Sequence, residues 1–273
     1  MCRDADRAGV VARVVEAKDV GARHALIRLD AGRDLGDVAP GAFAMVTVPG
    51  RADLILPRPF AILDAEGSVV SLLVKVVGEG TRFLAAARAG DEVSILAPLG
   101  RPWRIETCTV AFLVAGGTGY AALHMLARRL HASGVTVRLI WGQANVSSFP
   151  DRAALAIPGV DVIDASDDGS CGFEGTSVAC LADLLDEGVG DRAGCVYGAG
   201  PVPMLRGLVA LACERGLSCQ VSLEARMACG IGVCRGCVVN AVRPHPETGL
   251  RRRAVCRDGP VFDADELDWE RLQ

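Results

Sequence analysis

Four cysteines near the C-terminus have the residue type and the spacing to hold an iron–sulfur cluster. Three follow the pattern C-x4-C-x2-C and the fourth comes after a gap; they are Cys229, Cys234, Cys237 and Cys256. Cysteine thiolates are the iron ligands of such clusters, and this spacing is typical of plant-type two-iron, two-sulfur (2Fe–2S) ferredoxins. Glycines between the first three cysteines let the backbone wrap closely and direct its N–H groups at the sulfurs.

The fourth cysteine must return to the other three from a distance. Two β-prone runs, Val238–Val242 and Leu250–Val255, flank a turn-rich segment at 244–249. This pattern predicts a hairpin that brings Cys256 beside Cys237. A zinc site is the alternative, because zinc also accepts four cysteines. Zinc modules usually carry two C-x2-C pairs, however, and this segment carries one.

Two glycine-rich turns have the sequence of nucleotide-binding loops. The first joins the apolar run Val110–Ala115 to a helical pattern over Tyr120–Ser133; its residues are Gly116, Gly117, Thr118 and Gly119. Backbone N–H groups at such a turn, together with the helix N-terminus, can bind a pyrophosphate. The second turn follows Cys195–Tyr197; its residues are Gly198, Ala199, Gly200 and Pro201. We expect both at the carboxyl edge of one parallel sheet, where such folds bind ligands; two ordinary tight connections are the alternative.

Two segments of the first hundred residues have groups that can bind a cofactor. One carries a cation beside an aromatic ring, and the other carries hydrogen-bond donors at the start of a helix. The motif Arg58-Pro59-Phe60-Ala61 places an arginine beside a stiff proline and a ring, which can pair with a phosphate and cover a flavin face. Gly80 and Thr81 offer an N–H group and a hydroxyl at the start of a predicted helix. Taken singly, each pattern is more common as a surface arginine or an ordinary turn.

The elements that would carry these residues change character along the chain. Short β-branched runs fill the region up to Arg104 and predict a six-stranded antiparallel barrel; the runs are Val10–Ala17, Ala25–Leu29, Ala42–Val48, Phe60–Leu63, Val69–Val77 and Val93–Leu96. Buried strands then alternate with helices over 120–133, 177–186 and 201–215, which predicts a doubly wound parallel sheet. From residue 224 onward the apolar residues show little periodicity. We expect a bound cofactor to stabilise the structure of this segment, because its apolar core would be small. We therefore expect a multidomain β plus α/β chain with a flavin barrel at 8–104, a nucleotide domain at 105–222 and a small iron–sulfur domain at 223–273.

Composition and charge exclude several classes of protein. The chain has 273 residues, 51% of them hydrophobic, and its formal net charge of −4 disfavours nucleic acid as a partner. Because the N-terminus lacks a signal-peptide core and no run reaches membrane-spanning length, we expect a cytoplasmic protein without a membrane partner. In that reducing compartment the eleven cysteines do not predict disulfides, and those outside the motif are interpreted as space-filling.

With these motifs in order, nearly the whole chain resembles the electron-transfer subunit of NAD-dependent dihydroorotate dehydrogenase, a branch of the ferredoxin reductase superfamily. The most specific stretches are 223–238, which reads LEARMACGIGVCRGCV, and 255–263, which reads VCRDGPVFD. They are similar to the cluster loop and the closing ligand of that subunit.

The resemblance implies the cofactors and the residues that bind them. One FAD would lie in the barrel, against Arg58, Pro59, Phe60, Ala61, Leu73, Val74, Lys75, Gly80 and Thr81. NAD would lie over the doubly wound domain, against Gly116, Gly117, Thr118, Gly119, Gly198, Ala199, Gly200, Pro201 and Met204. One 2Fe–2S cluster would be held by the four cysteines. No residue is expected to act as a general base; the histidines interpreted as surface or packing residues are His24, His124, His131 and His245.

Three features depart from the family's pattern. Ala61 stands where Ser or Thr is common near the flavin, so a backbone N–H must serve there, and Ala199 stands where Cys is common beside the nicotinamide. The hairpin before Cys256 is longer than usual, and we place the extra residues at its solvent-exposed tip. Arg251–Arg253 in that hairpin could face an acidic patch on a partner, although a solvated run of charge is the more common arrangement.

The resemblance also implies a reaction and a partner. A separate FMN-containing dihydroorotate dehydrogenase catalytic subunit would oxidise dihydroorotate, and this subunit would pass the electrons through the 2Fe–2S cluster and FAD to NAD+ in pyrimidine biosynthesis, as a heterotetramer of two copies of each. NAD is favoured over NADP because segment 142–145 offers no arginine for a 2′-phosphate. Two alternatives stay open: a reductase subunit of a sulfide dehydrogenase, hydrogenase or ferredoxin-NADP transhydrogenase complex, and a non-catalytic, zinc-stabilised binding protein.

Overall fold

The first part of the chain forms a closed antiparallel barrel in the computed structural model, which describes residues 9–48, 50, 54–189 and 194–272. Its strands are β1 (Val10–Asp19), β2 (His24–Asp30), β3 (Phe43–Thr47), β4 (Arg58–Glu66), β5 (Val69–Lys75) and β6 (Glu92–Leu99), and a short helix, α1 (Glu79–Ala85), follows β5. The order around the barrel is β1-β2-β5-β4-β3-β6. Alternate side chains point inward, as the period-two pattern requires; in β6 the buried ones include Val93, Ile95 and Ala97.

The barrel confirms the predicted six strands, with strand ends displaced by one to three residues. Strand β4 begins at Arg58 rather than at Phe60, because Pro59 lies opposite Met45 and Arg58 opposite Val46. A proline usually marks the end of a strand, since it has no N–H to donate. Here it lies within β4, which carries the predicted flavin motif into the barrel wall.

The middle of the chain forms the predicted doubly wound sheet. Its elements are β7 (Val110–Gly116), α2 (Tyr120–Ala132), β8 (Thr136–Gln143), β9 (Val162–Ser166), β10 (Phe173–Glu174), α3 (Ser177–Asp186), β11 (Gly194–Gly200), α4 (Val202–Glu214) and β12 (Ser218–Leu223). These strands are parallel, in the order β10-β9-β8-β7-β11-β12. Helices cover both faces, so β7 and β11 are buried almost throughout.

The C-terminal segment adds a hairpin and one more strand to the sheet. The hairpin pairs β13 (Val238–Asn240) with β14 (Arg252–Ala254), as predicted, and a single helical turn, α5 (Val255–Asp258), carries Cys256. Strand β15 (Val261–Asp263) then pairs antiparallel with β12 at the sheet edge. Neither β12 nor β15 was predicted, because β12 opens on the polar residues Ser218 and Gln220 and β15 has three residues.

The buried apolar residues form three clusters. One fills the barrel, and a second lies between the sheet and α2. The third lies on the other sheet face, where residues of α3 and α4 such as Leu181 and Leu205 join Phe43 of the barrel and Val255 and Cys256 of the C-terminal segment. Two of the predicted cluster ligands, Cys237 and Cys256, are therefore part of a core shared by all parts of the chain. Among the described residues, no helix is long and apolar enough to cross a membrane.

Candidate functional site

A cleft of about 540 Å³ opens between the barrel and the carboxyl edge of the sheet. Its wall contains two groups of predicted residues: for FAD, Arg58, Pro59, Phe60, Ala61, Leu73, Lys75 and Thr81; for NAD, Thr118, Gly119, Ala199 and Gly200. The cleft has the size of a small-molecule site. Residues from two distant parts of the sequence thus share one space, as contact between a flavin and a nicotinamide requires.

Helix α2 holds the barrel against the sheet and so sets the width of the cleft. Arg128 of α2 donates to the Asp64 carboxylate of β4 at 2.6 Å, and His124 Nδ1 lies 3.2 Å from the Leu63 carbonyl oxygen. Burial lowers the pKa of His124. This histidine is a packing residue, as predicted.

The two predicted flavin segments of the barrel contact each other. The guanidinium of Arg58 lies across Gly80, where a Cβ atom would overlap it. Its Nη1 atom donates to the Leu56 carbonyl at 2.7 Å. These contacts hold a positive charge beside Phe60 and Leu73 in the cleft wall. A cation beside apolar side chains fits the pyrophosphate and the ring system of FAD.

Two of the predicted flavin residues, Thr81 and Val74, have side chains with contacts elsewhere in the barrel domain. The Thr81 hydroxyl accepts from the N–H groups of Val77 and Gly78 and donates to the Gly78 carbonyl at 2.9 Å, so it holds the turn before α1. Val74 points into the barrel core, because alternate residues of a strand face opposite sides. Its neighbours Leu73 and Lys75 line the cleft instead.

The two glycine turns meet at the carboxyl edge of the sheet. Strands β7 and β11 are parallel neighbours, so their ends coincide. A Cβ atom at Gly119 would overlap the carbonyl of Ala199, and one at Gly200 would lie 3.0 Å from the Gly116 nitrogen. The backbones therefore approach so closely that a side chain cannot be accommodated there. This close approach leaves the N-terminus of α2 open to the cleft.

The other predicted NAD residues support the turns from behind and are absent from the cleft wall; they are Gly116, Gly117, Gly198, Pro201 and Met204. Gly117 has a φ of 57° and its carbonyl accepts from the indole N–H of Trp141 at 2.8 Å. Leu205 and Leu208 of α4 pack directly against Gly198. These residues shape the loops, whereas Thr118, Gly119, Ala199 and Gly200 line the cleft.

The segment after β12 lines the cleft and was missed in the sequence. Together with Ser222 and Leu223 at the end of β12, it contributes residues 224–227, of which Glu224 is the acidic member. Desolvation within the cleft raises the pKa of Glu224, although Lys75 and a hydrogen bond with Thr118 oppose this shift. The side chain is exposed in the open cleft, so a bound ligand would bury it further. The only sign of a role for Glu224 in the sequence was its position after the apolar residues Val221 and Leu223, at the end of a strand that was not predicted.

The four cysteines of the predicted cluster site lie together, each with a backbone donor. Every one of the four sulfurs accepts an N–H group: Cys256 from Gly232 at 3.1 Å, Cys229 from Cys234 at 3.4 Å, Cys234 from Gly236 at 3.5 Å and Cys237 from Cys256 at 3.5 Å. Backbone N–H groups directed at sulfur stabilise the negative charge of thiolates. The loop therefore fits a bound iron–sulfur cluster.

The sulfurs group in pairs. Cys237 Sγ lies 3.3 Å from Cys256 Sγ, and Cys229 shares a hydrogen bond with Cys234. In the part of the chain that the structure describes, no three His, Cys, Asp or Glu side chains converge as they would around one metal ion. A 2Fe–2S cluster takes its four cysteines as two per iron, which matches the pairs better than the single tetrahedron of a structural zinc site.

Cys229 and Cys256 differ in how readily their thiols ionise. Burial raises the pKa of Cys229, but the N–H groups of Cys234, Ile231 and Val233 outweigh burial and bring that pKa to about 6. Burial, followed by the neighbouring Cys237 thiol, raises the pKa of Cys256 to about 12. Metal binding displaces the protons of its thiol ligands. Cys229 is therefore readily available as a thiolate, and the buried closing ligand Cys256 ionises when metal replaces its proton.

Cysteines outside the motif are scattered. Cys180 and Cys195 are buried and Cys213 is exposed on α4. Burial raises the pKa of Cys180 to about 11, so this thiol stays protonated and packs as an apolar group. Cys2 lies outside the described residues.

The arginine run of the hairpin differs from its prediction. Arg251 and Arg252 are exposed, but Arg253 is buried and its guanidinium donates to the carbonyls of Arg243 at 3.1 Å and Pro244 at 3.4 Å. The expectation of a solvated or partner-facing run is therefore wrong for Arg253. Arg253 follows the exposed Arg252 in β14, so strand alternation turns its side chain inward, where the folded-back hairpin offers carbonyl partners.

A closed flavin-type barrel, a doubly wound sheet and a four-cysteine hairpin around one cleft define a class, the ferredoxin reductase-like oxidoreductase subunits with their own cluster domain. The fold matches the solved structure of an NADH-dependent reduced ferredoxin-NADP oxidoreductase with a TM-score of 0.82 at 24% identity, over 96% of this chain and 91% of that one. It also matches the ferredoxin reductase of carbazole 1,9a-dioxygenase with a TM-score of 0.67 at 19% identity, over 77% of this chain and 66% of that one.

Sequence comparisons define the family within this class. Residues 224–268 match the iron-sulfur cluster binding domain of dihydroorotate dehydrogenase B. The chain is 34% identical to the dihydroorotate dehydrogenase B (NAD+) electron transfer subunit of Caldanaerobacter subterraneus subsp. tengcongensis, over 84% of this chain and 86% of that protein. It is 36% identical to that of Shouchella clausii, again over 84% and 86%. The chain belongs to the family of dihydroorotate dehydrogenase B electron transfer subunits. This membership confirms the predicted resemblance and the predicted class, an NAD-linked oxidoreductase subunit with FAD and 2Fe–2S cofactors.

Proposed function

We propose that this chain passes electrons from an FMN-containing, dihydroorotate-oxidising subunit to NAD+ in pyrimidine biosynthesis. The observation that carries the proposal is the course of the segment from Leu223 to Cys229. This segment leaves β12 inside the cleft, where Glu224 and Met227 form part of the wall, and ends at the first cluster cysteine. A few residues thus connect the site of hydride chemistry with the site of single-electron chemistry.

The residues of the chain bind and orient the reacting groups. When bound, FAD exchanges electrons singly or in pairs, which suits a junction between a cluster and a nicotinamide. Arg58 and Lys75 supply positive charge for the phosphates, and Phe60 offers a face for the ring system. The α2 N-terminus at Gly119 attracts the anionic part of NAD. Backbone N–H groups stabilise the thiolates of the four cysteines.

We place the catalytic partner at the open side of the cysteine loop. Cys234 is exposed there, next to Val233 with 75% of its surface accessible and to Ile231. Apolar side chains beside an exposed ligand support docking of another protein within electron-transfer range. The proposal includes a heterotetramer with two copies of each subunit, located in the cytoplasm.

The test is co-expression with the FMN subunit encoded by the same organism, followed by co-purification. The expected complex reduces NAD+ when dihydroorotate is added, and this chain alone contains FAD and about two irons, giving a yellow-brown solution. Light scattering measures the stoichiometry. A colourless protein that contains zinc would overturn the proposal. If the chain contains FAD and the cluster but exchanges electrons with a hydrogenase or sulfide dehydrogenase instead, the proposed cofactors are correct and the proposed partner is wrong.

A further inference from the structure

The long hairpin between β13 and β14 folds back on itself at residues 241–251, which we call the tip. The N–H group of His245 donates to the Leu250 carbonyl at 2.8 Å, and the Gly249 N–H donates to the His245 carbonyl at 2.8 Å. Buried Arg253 adds bonds to the carbonyls of Arg243 and Pro244. The tip is therefore an ordered platform that holds the His245 ring in a defined position.

The hydrogen bonds of His245 determine which ring nitrogen carries the proton. Nδ1 accepts the Glu247 N–H at 3.1 Å, so in the neutral ring the proton is on Nε2. Nε2 lies 3.3 Å from Asp258 Oδ1, and only 16% and 12% of the two side chains are exposed. The ring is thus oriented as a donor to a largely buried carboxylate. His245 was interpreted as a surface or packing histidine, and the structure gives it this specific partner.

Asp258 connects that ring to the closing cluster ligand. Its second oxygen accepts the Ala254 N–H at 2.7 Å, which closes the single helical turn α5. Cys256 lies inside this turn, with its sulfur 3.3 Å from that of Cys237 and 3.1 Å from the Gly232 nitrogen. Whatever holds Asp258 therefore holds the backbone that places Cys256.

A second contact runs from the tip to the opposite side of the cysteine loop. Glu247 forms an ion pair with Arg257 at 3.2 Å, and the Arg257 side chain crosses Gly232, where a Cβ atom would lie 3.0 Å from it. Both charged groups of this pair are exposed, so the pair stabilises the contact little. The buried contact of His245 with Asp258 is the stronger of the two.

We propose that His245 is a positioning residue for Cys256: through Asp258 it fixes the turn that carries the closing ligand, and it thereby retains and shapes the cluster. The inference rests on the proposed function only in requiring that the chain bind a 2Fe–2S cluster. It assigns a purpose to the tip of the hairpin, which supplies the histidine.

The experiment compares the full chain carrying H245A, H245F and H245Q with wild type. H245F keeps the ring volume without the N–H, and H245Q keeps a donor. Cluster loss is followed by visible absorbance after a chelator is added without oxygen, and the reduced cluster is examined by electron paramagnetic resonance. We expect H245A and H245F to lose the cluster about three- to tenfold faster, the effect of one buried hydrogen bond, with a changed resonance spectrum, and H245Q to recover part of the wild-type behaviour. V242A, at an exposed apolar position of the same tip, is the matched control and should behave as wild type.

The outcomes separate this inference from the proposed function. Wild-type loss rates and spectra in both H245A and H245F would overturn the inference while leaving the cluster in place. Absence of iron from the wild-type chain would overturn the proposed function itself. If H245A does not fold, H245F decides, because it preserves the packing of the ring. Equal acceleration of cluster loss by V242A would also refute a specific role for His245.

Discussion

At the scale of single residues, the four cluster cysteines have unequal surroundings. Cys237 and Cys256 are buried and Cys234 is exposed. We expect Cys234→Ser to remove the cluster and to reduce coupling to a partner dehydrogenase by at least about tenfold, because a serine hydroxyl is a poor iron ligand. NADH-driven reduction of an artificial dye should persist, since the cleft is unchanged.

Iron content, visible absorbance and the two activities measure this outcome. Cys213→Ser is the control, because Cys213 is equally exposed but lies on α4, outside the motif. Loss of dye reduction in Cys234→Ser despite retained FAD would contradict the proposal that NADH oxidation takes place in the cleft without the cluster.

Glu224 is the second residue with a testable charge. Desolvation raises its pKa in the folded chain, so the ionised form is disfavoured there, and this penalty grows as pH rises from the unfolded pKa of about 4.3 through the higher folded value. We expect Glu224→Gln to be more stable than wild type at pH 7 and equally stable below about pH 4, as measured by urea unfolding. Its NADH-dependent dye reduction should fall about threefold or more, because the carboxylate between Lys75 and Thr118 is lost. Unchanged activity with higher stability would show that the cleft does not use the charge.

At the scale of elements, the two glycine turns approach each other closely because Gly119 and Gly200 have no side chains. We expect Gly119→Ala to destabilise the chain by about 1–3 kcal/mol, the range for overpacking, because its Cβ would overlap the Ala199 carbonyl. The KM for NADH should rise as well, since the loops must separate. Urea unfolding and dye-reduction kinetics measure both effects.

Gly207→Ala provides the matched comparison within a helix. Its Cβ would meet only Val178, at 3.9 Å, so the change should be neutral or should stabilise α4 by up to about 1 kcal/mol. Equal effects of the two substitutions would contradict the close approach of the turns.

At the scale of the whole molecule, Arg104 ties the segment between barrel and sheet to the C-terminal strand. It forms two bonds with Asp263, at 2.8 and 2.9 Å, and one with Glu106 at 2.7 Å. Burial raises the pKa of Glu106, but hydrogen bonds from Ser218 and Arg104 outweigh burial and lower the pKa overall. The ionised Glu106 carboxylate therefore stabilises the folded chain above about pH 4.3, and this stabilisation is lost as the pH falls below that value.

We expect Arg104→Gln to lower the free energy of unfolding by about 1 kcal/mol at pH 7, the upper range for a half-exposed pair with two-point geometry. The difference from wild type should shrink as the solution is acidified below pH 4. Arg82→Gln is the control, because its partner Glu79 lies within the same short helix, and it should change stability by less than about 0.5 kcal/mol. A difference for Arg104→Gln that does not depend on pH would argue against the ion pairs.

The sequence by itself determined the local features of this protein. The ligands Cys229, Cys234 and Cys237 follow from spacing within one loop, and the strands and helices follow from apolar periods of two and of 3.6 residues, as for α3, whose predicted and observed bounds agree. The glycine turns were recognisable because a strand, a glycine run and a helix are contiguous in the chain. Each of these patterns is formed by residues that are close together in sequence, so it can be recognised without knowledge of the tertiary structure.

Only the tertiary structure decided which residues meet. Glu224 lines the cleft because an unrecognised strand ends beside the glycine turns, and β15 joins the sheet through pairing with β12, far away in sequence. Arg253 is buried and His245 has a carboxylate partner because the hairpin folds back on itself. These contacts arise from packing between distant segments, which the free energy of the whole fold selects and no local pattern encodes.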